Sequence, residues 1–365
     1  MRVQHLTWDI HDRYGGGERA SLAIARATSG KCESSLWSVG TDSNEFYRDG
    51  MIVRRIQRLF GSFDNPFPDP KALARVIRTA DIIHVHQMNT YLLDLVTAFK
   101  KRSQVLVVTD YGGGGISVGR FFKFFNQVDA FTSYSSEMHH LSYKNFTNVW
   151  QLPIPINLPS HDHDNRSDSS APGHQRIVAV GRILPHKGFE VVISAMSAED
   201  SLTIVGVVED QPYYEWLLSL PTNGTVTFNH DADDDQLIDT YLSADIFVST
   251  SVPIDYRGNK HPKSELLSLV AIEAAWYGLP VVISSIAPAL QREITAGIVP
   301  GNIYEAGCVS DLQTCLDRWR GAKIRSLNSA EYIQKRYGDS TVGTLYHDFY
   351  SGLLINKRKK GSAQP

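Results

Sequence analysis

The chain has 365 residues, of which 42% are hydrophobic and 21% charged, and its formal net charge at pH 7 is -3. This length exceeds one ordinary hydrophobic core, so two domains are expected. The slight acidity argues against a general nucleic-acid-binding protein. Three widely spaced cysteines form neither a disulfide framework nor a zinc spacing, and no apolar run reaches the roughly 18 residues that span a bilayer. We expect a cytoplasmic protein without a signal peptide.

The first candidate site is a glycine-rich loop between a predicted strand, Val3 to Trp8, and a predicted helix that ends near Thr28. It reads Asp-Arg-Tyr-Gly-Gly-Gly-Glu-Arg from position 12 and is a candidate phosphate or sugar cradle. Glycines let the backbone approach a ligand, and the amides of a helix N-terminus favour an anion. The loop lacks the Gly-x-Gly-x-x-Gly fingerprint, and a tight turn without a ligand explains it equally well.

Alternating strand and helix patterns continue to residue 157 and predict a doubly wound α/β domain with a parallel sheet. The predicted strands are 35–39, 51–56, 81–86, 104–109 and 129–134, and helices begin at Pro70 and Thr90. His84 and His86 share one face of their strand. Metal ligation needs a third ligand, and none is evident nearby. We therefore expect that His84 packs against a helix or that His86 lines the cleft at the strand's carboxyl end.

Two further features lie in this half. Asp110 lies two positions before a run of four glycines, where it contacts a sugar hydroxyl, stabilises positive charge at an anomeric carbon, or caps the loop as an Asx turn. The aromatic and basic segment 120–125 suits a membrane surface or lipid-linked acceptor, but a buried helix with snorkelling cations is the commoner explanation.

A polar stretch at 158–173 predicts an interdomain linker, and its His-Asp-His-Asp run is interpreted as solvated. The second predicted domain, 174–338, opens with a strand that ends at Gly181. Arg182 and Lys187 flank the turn into the next helix, where two cations suit a diphosphate. Exposed surface cations are the alternative.

The most informative segment is 264–280, Ser-Glu-Leu-Leu-Ser-Leu-Val-Ala-Ile-Glu-Ala-Ala-Trp-Tyr-Gly-Leu-Pro. It predicts a loop that carries Glu265 and a buried helix, from about Leu269, that carries Glu273 and ends at Gly278. A carboxylate among apolar neighbours needs hydrogen-bond donors, and sugar hydroxyls can supply them. Solvated acids are the alternative. The basic segment 253–263 before it is either a lid or a disordered insertion.

These motifs together resemble those of the family 4 retaining glycosyltransferases, which have the GT-B fold of two Rossmann-like domains facing a central cleft. The resemblance rests on Gly-Gly-Gly-x-Arg at 15–19, Gly-Arg-x-x-x-x-Lys-Gly at 181–188 and the Glu-x7-Glu element at 265–273. It covers nearly the whole chain and is strongest from Arg182 to Pro280. A C-terminal helix at about 340–356 would then pack back on the first domain.

The resemblance implies roles for the candidate residues. Glu265 would contact the donor sugar and Glu273 the ribose, with Leu269 beside them, while Gly181, Arg182 and Lys187 would bind the diphosphate. Gly16 and Gly17 would complete the phosphate site. Glu265, Asp110, Arg182 and Lys187 are the candidate catalytic residues. Two departures stand out: Asp110 and Tyr111 occupy the usual place of a histidine, and Leu266 and Ser268 replace usual glycines.

The implied activity is that of a hexosyltransferase that moves a sugar from a nucleotide-sugar donor to an acceptor with retention of configuration. The acceptor hydroxyl would attack from the leaving-group face, and no cofactor or metal is expected. A carbohydrate, a lipid-linked molecule and a small molecule all remain open as acceptor, as do peripheral contact with the inner membrane face and the oligomeric state. The alternatives are a non-catalytic sugar-nucleotide-binding protein and another GT-B enzyme such as an epimerase.

Overall fold

The computed structural model describes residues 1–10, 16–62, 65–88, 90–111, 127–134, 146–156, 158–159, 173–261, 265, 267–322 and 326–362. The chain forms two compact units. The first consists of Met1–Asn157 together with Arg336–Pro365, and the second is Leu158–Lys335. The division at residue 157 falls where the sequence places the start of the linker, and most of the linker itself lies outside the described residues.

The first unit is built on a largely parallel sheet. Its strands follow the order β3-β4-β2-β1-β6-β7-β8-β9, and β5 pairs with β4. All pairings are parallel except those of β3 and β5 with β4. The strands are β1 Arg2–Trp8, β2 Glu33–Gly40, β3 Glu45–Arg48, β4 Met51–Gly61, β5 Pro66–Pro68, β6 Ile82–His86, β7 Val105–Thr109, β8 Ala130–Ser133 and β9 Val149–Gln151.

Four helices accompany this sheet in the described residues: α1 Gly16–Ser29, α2 Pro70–Arg78, α3 Tyr91–Phe99 and the C-terminal α11 Asp339–Ser362. Helix α11 belongs to the first unit although it follows the second unit in sequence. Arg26 of α1 forms an ion pair with Asp339 at 2.7 Å, and Lys357 pairs with Asp129 at 2.6 Å. Val342, Tyr346 and Tyr350 of α11 are buried with Val3, Ile24 and Ile82 in one core cluster.

The second unit has a fully parallel sheet with the order β12-β11-β10-β13-β14-β15. This is the strand order of the doubly wound dinucleotide-binding fold. In that fold the chain adds strands on one side of the first strand and then, from the fourth strand, on its other side. The strands are β10 Arg176–Val180, β11 Ser201–Val205, β12 Thr225–Asn229, β13 Ile246–Ser249, β14 Val281–Ser284 and β15 Gly301–Tyr304.

The helices of the second unit follow its strands in alternation. They are α4 Phe189–Ala195, α5 Gln211–Ser219, α6 Asp234–Ser243, α7 Leu269–Trp276, α8 Gln291–Thr295, α9 Val309–Trp319 and α10 Leu327–Tyr337. Asp233 caps α6 through a capping box with Gln236. The Arg320 guanidinium holds the buried Asp200 carboxylate at 2.5 Å, which fixes the loop before β11 to the end of α9.

The prediction of an α/β fold with parallel sheets is confirmed. Several boundaries differ: α11 extends beyond the predicted helix at its C-terminal end, and β3, β5 and β15 were not predicted. Short edge strands and connecting helices carry weak periodicity, so sequence patterns miss them. The segment 120–125 lies outside the described residues. Among the described residues, none of the helices is both long and apolar enough to cross a bilayer.

The close contact between α1 and α11 gives a stability prediction. A Cβ atom added at Gly343 would lie 2.2 Å from the backbone carbonyl of Ala27, whereas one added at Gly352, on the same helix, would meet nothing within 4 Å. We expect Gly343→Ala to lower the free energy of unfolding by about 1–3 kcal/mol through overpacking. Gly352→Ala should raise it by up to about 1 kcal/mol through helix propensity.

Urea unfolding of both variants measures the two effects. Equal effects of the two substitutions would contradict the packing of α11 against α1.

Candidate functional site

The second unit gathers most of the predicted site residues at one point of its sheet. In a doubly wound sheet, ligands bind beyond the carboxyl ends of the strands where the strand order reverses. Here that point lies between β10 and β13. Gly181 to Gly188 follow β10, and Thr250 and Ser251 follow β13. The fold therefore places Lys187 beside the end of β13.

Glycines make this close approach possible. Gly188 has φ +64°, and a Cβ there would lie 2.3 Å from the carbonyl oxygen of Thr250. A Cβ at Gly206 would lie 1.9 Å from the carbonyl oxygen of Gly181. The Thr250 hydroxyl in turn donates to the Lys187 carbonyl at 2.7 Å. Gly188 thus lets the turn after β10 lie against the end of β13, and Gly206 lets the loop after β11 lie against the same turn.

Lys187 and Glu265 form the central ion pair of this site. The Lys187 ammonium lies 2.9 Å from Glu265 Oε2, which also accepts from the Ser251 hydroxyl at 3.0 Å. Glu265 Oε1 accepts from the Ser268 amide at 2.9 Å. The two side chains are 19% and 9% exposed. The sequence placed these two residues 78 positions apart in one site, and the structure brings them into direct contact.

The electrostatics of the pair follow from its surroundings. Burial alone would raise the pKa of the Glu265 carboxyl, but the charge of Lys187 and the hydrogen bonds from Lys187, Ser251 and the Ser268 amide outweigh it and hold the pKa below its usual value. Burial, and then the charge of Lys187, lower the pKa of His186 to about 4. Glu265 is therefore ionised at neutral pH, and its carboxylate can still accept from a ligand hydroxyl.

Arg182, which the sequence grouped with Lys187 as a second cation for a diphosphate, does not join the Lys187–Glu265 ion pair. Its guanidinium is 54% exposed and pairs with Glu209 at 2.9 Å rather than with Glu265. Exposed ion pairs of this kind are weak, so Arg182 can exchange Glu209 for a stronger anion at little cost.

Glu273 and Leu269 lie on α7, as predicted. Leu269 is the first residue of the helix and is half-buried, and Glu273 is one turn further along. The Tyr241 hydroxyl donates to Glu273 Oε2 at 3.1 Å. Burial, and then the Glu273 charge, raise the pKa of Tyr277. The alternative of a fully solvated acid does not hold for either Glu265 or Glu273.

The segment from Pro253 to His261 is folded on the second unit. The Asp255 carboxylate accepts from the amides of Arg257 and Asn259 and contacts His261 at 2.8 Å. The Tyr256 ring stacks on Trp216 of α5 with centroids 4.0 Å apart. The alternative of a disordered insertion is therefore wrong for these residues, while positions 262–264 lie outside the described residues.

The first unit carries the remaining predicted residues. Gly16 and Gly17 are the first residues of α1 rather than part of the preceding loop, of which positions 11–15 lie outside the described residues. A Cβ at Gly17 would lie 3.0 Å from the Trp8 ring and 3.4 Å from Tyr111 Cβ. Asp110 is fully buried at the end of β7. The four residues Gly17, Trp8, Asp110 and Tyr111 thus converge at the carboxyl ends of β1 and β7.

A buried histidine cluster supports this end of the sheet. His5, on β1, pairs in register with His84 on β6, and the three imidazoles of His5, His84 and His86 each offer a nitrogen within 4.8 Å of the others. His5 is the third histidine that the sequence did not identify, because its neighbour strand is distant along the chain. Burial lowers the pKa of His5 to about 3 and those of His84 and His86 well below the usual value.

Hydrogen bonds occupy all six ring nitrogens of this cluster. His84 bonds to Tyr350 and Thr109, each at 2.7 Å. His5 bonds to Thr28 at 3.1 Å and to His86 at 2.9 Å, and His86 bonds to the Tyr111 hydroxyl at 2.7 Å. Neutral imidazoles with these partners form a hydrogen-bonded network, which favours a structural role over metal binding.

The Thr28 end of the network sets the direction of its hydrogen bonds. The Thr28 hydroxyl lies 2.9 Å from two carbonyl oxygens of its own helix and donates to them. It therefore accepts from His5 Nε2, neutral His5 accepts from His86 Nε2, and His86 Nδ1 accepts from the Tyr111 hydroxyl. The Tyr111 proton is directed into the core, and its oxygen can only accept a hydrogen bond from a ligand.

Comparison with known proteins shows which family the second unit resembles. Residues 162–333 match the family model described as glycosyl transferases group 1. The match covers slightly less than half of the chain and lies within the second unit. A curated relative, sulfoquinovosyl transferase SQD2 of Arabidopsis thaliana, is 29% identical over 204 residues, which cover 53% of this chain. The match spans 37% of that relative's length.

Solved structures show that this chain has the GT-B fold. A glycosyltransferase from Rickettsia africae ESF-5 has a TM-score of 0.70 at 16% identity, with 97% of this chain and 99% of that one covered. Sucrose-phosphate synthase from Thermosynechococcus elongatus has a TM-score of 0.66 at 18% identity, with 98% and 100% covered. Anabaena HepE in complex with UDP and glucose has a TM-score of 0.63 at 16% identity, with 96% and 99% covered.

The buried histidine network of the first unit gives a prediction about pH. In the unfolded chain these imidazoles have a pKa near 6.5. The folded unit keeps them neutral to a lower pH, because burial lowers the pKa of His5 to about 3. Stability is therefore complete above about pH 6.5 and is lost as the pH falls through that value toward the folded pKa. At pH 5, His5 alone should cost about 2 kcal/mol.

Urea unfolding between pH 7.5 and 5 measures this loss. His5→Gln should reduce the pH slope by about one proton, while His347→Gln, a half-buried histidine on α11 of the same unit, should leave it unchanged. A free energy of unfolding that stays flat over this range would contradict the neutral network.

Proposed function

We propose that the chain is a retaining glycosyltransferase that transfers a sugar from a nucleotide-sugar donor to an acceptor hydroxyl. The observation that carries the proposal is the Lys187–Glu265 pair, at 2.9 Å, where the strand order of the second unit reverses. A cation, an ionised carboxylate and the N-terminus of α7 meet there. This combination suits a ligand that has both a diphosphate and sugar hydroxyls.

In this proposal Lys187 and Glu265 bind different parts of the donor. The Lys187 ammonium has three donors, so it can keep its bond to Glu265 and also contact a phosphate oxygen. Its charge would stabilise the negative charge that develops on the leaving diphosphate, as electrostatic catalysis requires. Arg182 would add a second cation by leaving Glu209. The Glu265 carboxylate would accept from a sugar hydroxyl, because Lys187 and Ser251 already hold it in a fixed orientation.

Glu273 is the proposed ribose contact. Its carboxylate lies on the second turn of α7, where Tyr241 orients it from one side. A ribose has two adjacent hydroxyls that can donate to one carboxylate. In this arrangement the diphosphate lies at the start of α7 and the nucleoside along it.

The proposed acceptor step retains the configuration of the transferred sugar. The acceptor hydroxyl would attack the anomeric carbon from the leaving-group face, and a donor phosphate oxygen would take its proton, so the configuration is retained. The residues Asp110 and Tyr111 are the proposed contacts for the sugar, in place of the family's histidine. No metal is needed in this scheme, since the cations of the second unit neutralise the diphosphate.

The ligands of two similar structures support nucleoside diphosphates as the class of nucleotide. HepE is described in complex with UDP and glucose, and starch synthase IV from Arabidopsis thaliana with ADP and acarbose. We propose a nucleoside diphosphate sugar as donor and a carbohydrate or a carbohydrate-bearing molecule as acceptor. The proposed place of the reaction is the cytoplasm, in the synthesis of a polysaccharide or glycoconjugate.

Calorimetry with UDP, GDP, ADP and dTDP tests the donor site. One nucleotide should bind the wild type, and Lys187→Ala and Glu273→Ala should each weaken it by about 1.5–3 kcal/mol, or roughly ten- to a hundredfold. Arg318→Ala removes an exposed cation of the same unit on α9 and should change nothing. Equal binding by wild type and both site variants would contradict the proposed donor site.

Incubation of the selected nucleotide sugar with candidate acceptors then tests the chemistry. NMR of the product should show the anomeric configuration of the donor. Inverted product would contradict the retaining mechanism, hydrolysis to a new free sugar isomer would favour an epimerase, and binding without turnover would favour a non-catalytic protein.

A further inference from the structure

Ser268 has a backbone conformation that serine rarely adopts. Its φ is +61° and its ψ +66°, in the left-handed region where glycine is favoured. Among the described residues, three other non-glycine residues have a positive φ: Asp49, Gln87 and Leu290. Backbone strain of this kind persists only where the surroundings or a function maintain it. A glycine would fit the same loop without strain, so the serine side chain needs its own explanation.

The hydroxyl of Ser268 does not perform the usual task of its position. Ser268 is the N-cap of α7, and an N-cap serine ordinarily accepts from an amide in the first turn of the helix. Here the side chain makes no capping bond. Ser268 is 6% exposed, and its Oγ has no hydrogen-bond partner among the described residues. Burying an unpaired hydroxyl is unfavourable. Backbone strain and the lost hydration of the hydroxyl therefore both destabilise the folded protein at Ser268.

The backbone of Ser268 lies beside groups that bind anions. The Ser268 amide bonds to Glu265 Oε1 at 2.9 Å, which ties this residue to the Lys187–Glu265 pair. Ala271 bonds to the Ser268 carbonyl at 3.1 Å, so Leu269 and Val270 carry the open amides at the start of α7. A ligand there would meet helix amides, an ammonium and one buried hydroxyl, which is a donor set for phosphate oxygens.

We propose that the Ser268 hydroxyl is a phosphate-binding group that donates to the diphosphate of the donor, and that the strained conformation is retained for this contact. The inference rests on the proposed function, and it adds a specificity-determining residue that the glycine of other family members does not supply. The hydroxyl gains its hydrogen-bond partner only when the diphosphate binds. The ligand therefore recovers part of the stability that the strained, unpaired serine costs the free protein.

Two substitutions separate this role from a structural one. Ser268→Gly removes both the strain and the hydroxyl, so its melting temperature should rise by about 2–4 °C, while its affinity for the nucleoside diphosphate selected by calorimetry should fall roughly tenfold. Ser268→Ala keeps the strain and removes the hydroxyl. It should bind as weakly as the glycine variant and melt below it.

Asp49→Gly is the matched control, because Asp49 is an exposed residue of the first unit with φ +44°. It relieves strain elsewhere and should leave nucleotide affinity unchanged. Wild-type affinity in both Ser268 variants would overturn the inference while leaving the proposed function intact. If no nucleoside diphosphate binds the wild type, the proposed function fails, and the inference that rests on it fails too.

Discussion

The contact between Lys187 and Glu265 is the interaction on which the site depends. Each charge would be unfavourable alone in a position so little exposed to water, and together they fix one loop after β10 and another before α7. Glu265 also accepts hydrogen bonds from the Ser251 hydroxyl and the Ser268 amide, so the same carboxylate connects the end of β13 to the start of α7. Removing either partner would leave a buried charge uncompensated.

The sheet order explains why these loops meet at all. A parallel sheet in the order β12-β11-β10-β13-β14-β15 opens beyond the carboxyl ends of β10 and β13, and Gly188 allows the loops after these two strands to approach closely. The first unit repeats the principle with β1 and β6, where a buried histidine network holds the Tyr111 hydroxyl at 2.7 Å from His86. In each unit, candidate site residues therefore lie beyond the carboxyl ends of parallel strands.

Much of this could be predicted from the sequence, and the failures have physical reasons. The positions of Glu265 and Glu273 relative to α7 followed from a continuous apolar run and from Gly278. The role of His5 could not be predicted, because its contact with His84 and His86 joins strands distant in sequence. The positive φ of Ser268 could not be predicted from the residue type, because serine rarely adopts it. The available signal was its position, which glycine usually occupies. The pairing of Arg182 with Glu209 depends on a loop contact that no periodicity records.

The most direct test is a crystal structure of the protein with the nucleoside diphosphate that calorimetry selects. Our account predicts that the diphosphate lies at the N-terminus of α7, with Lys187 Nζ, the Ser268 hydroxyl and the Leu269 amide within hydrogen-bond distance and the ribose on Glu273. A nucleotide bound away from α7, or one that leaves Lys187 in contact with Glu265 alone, would contradict it.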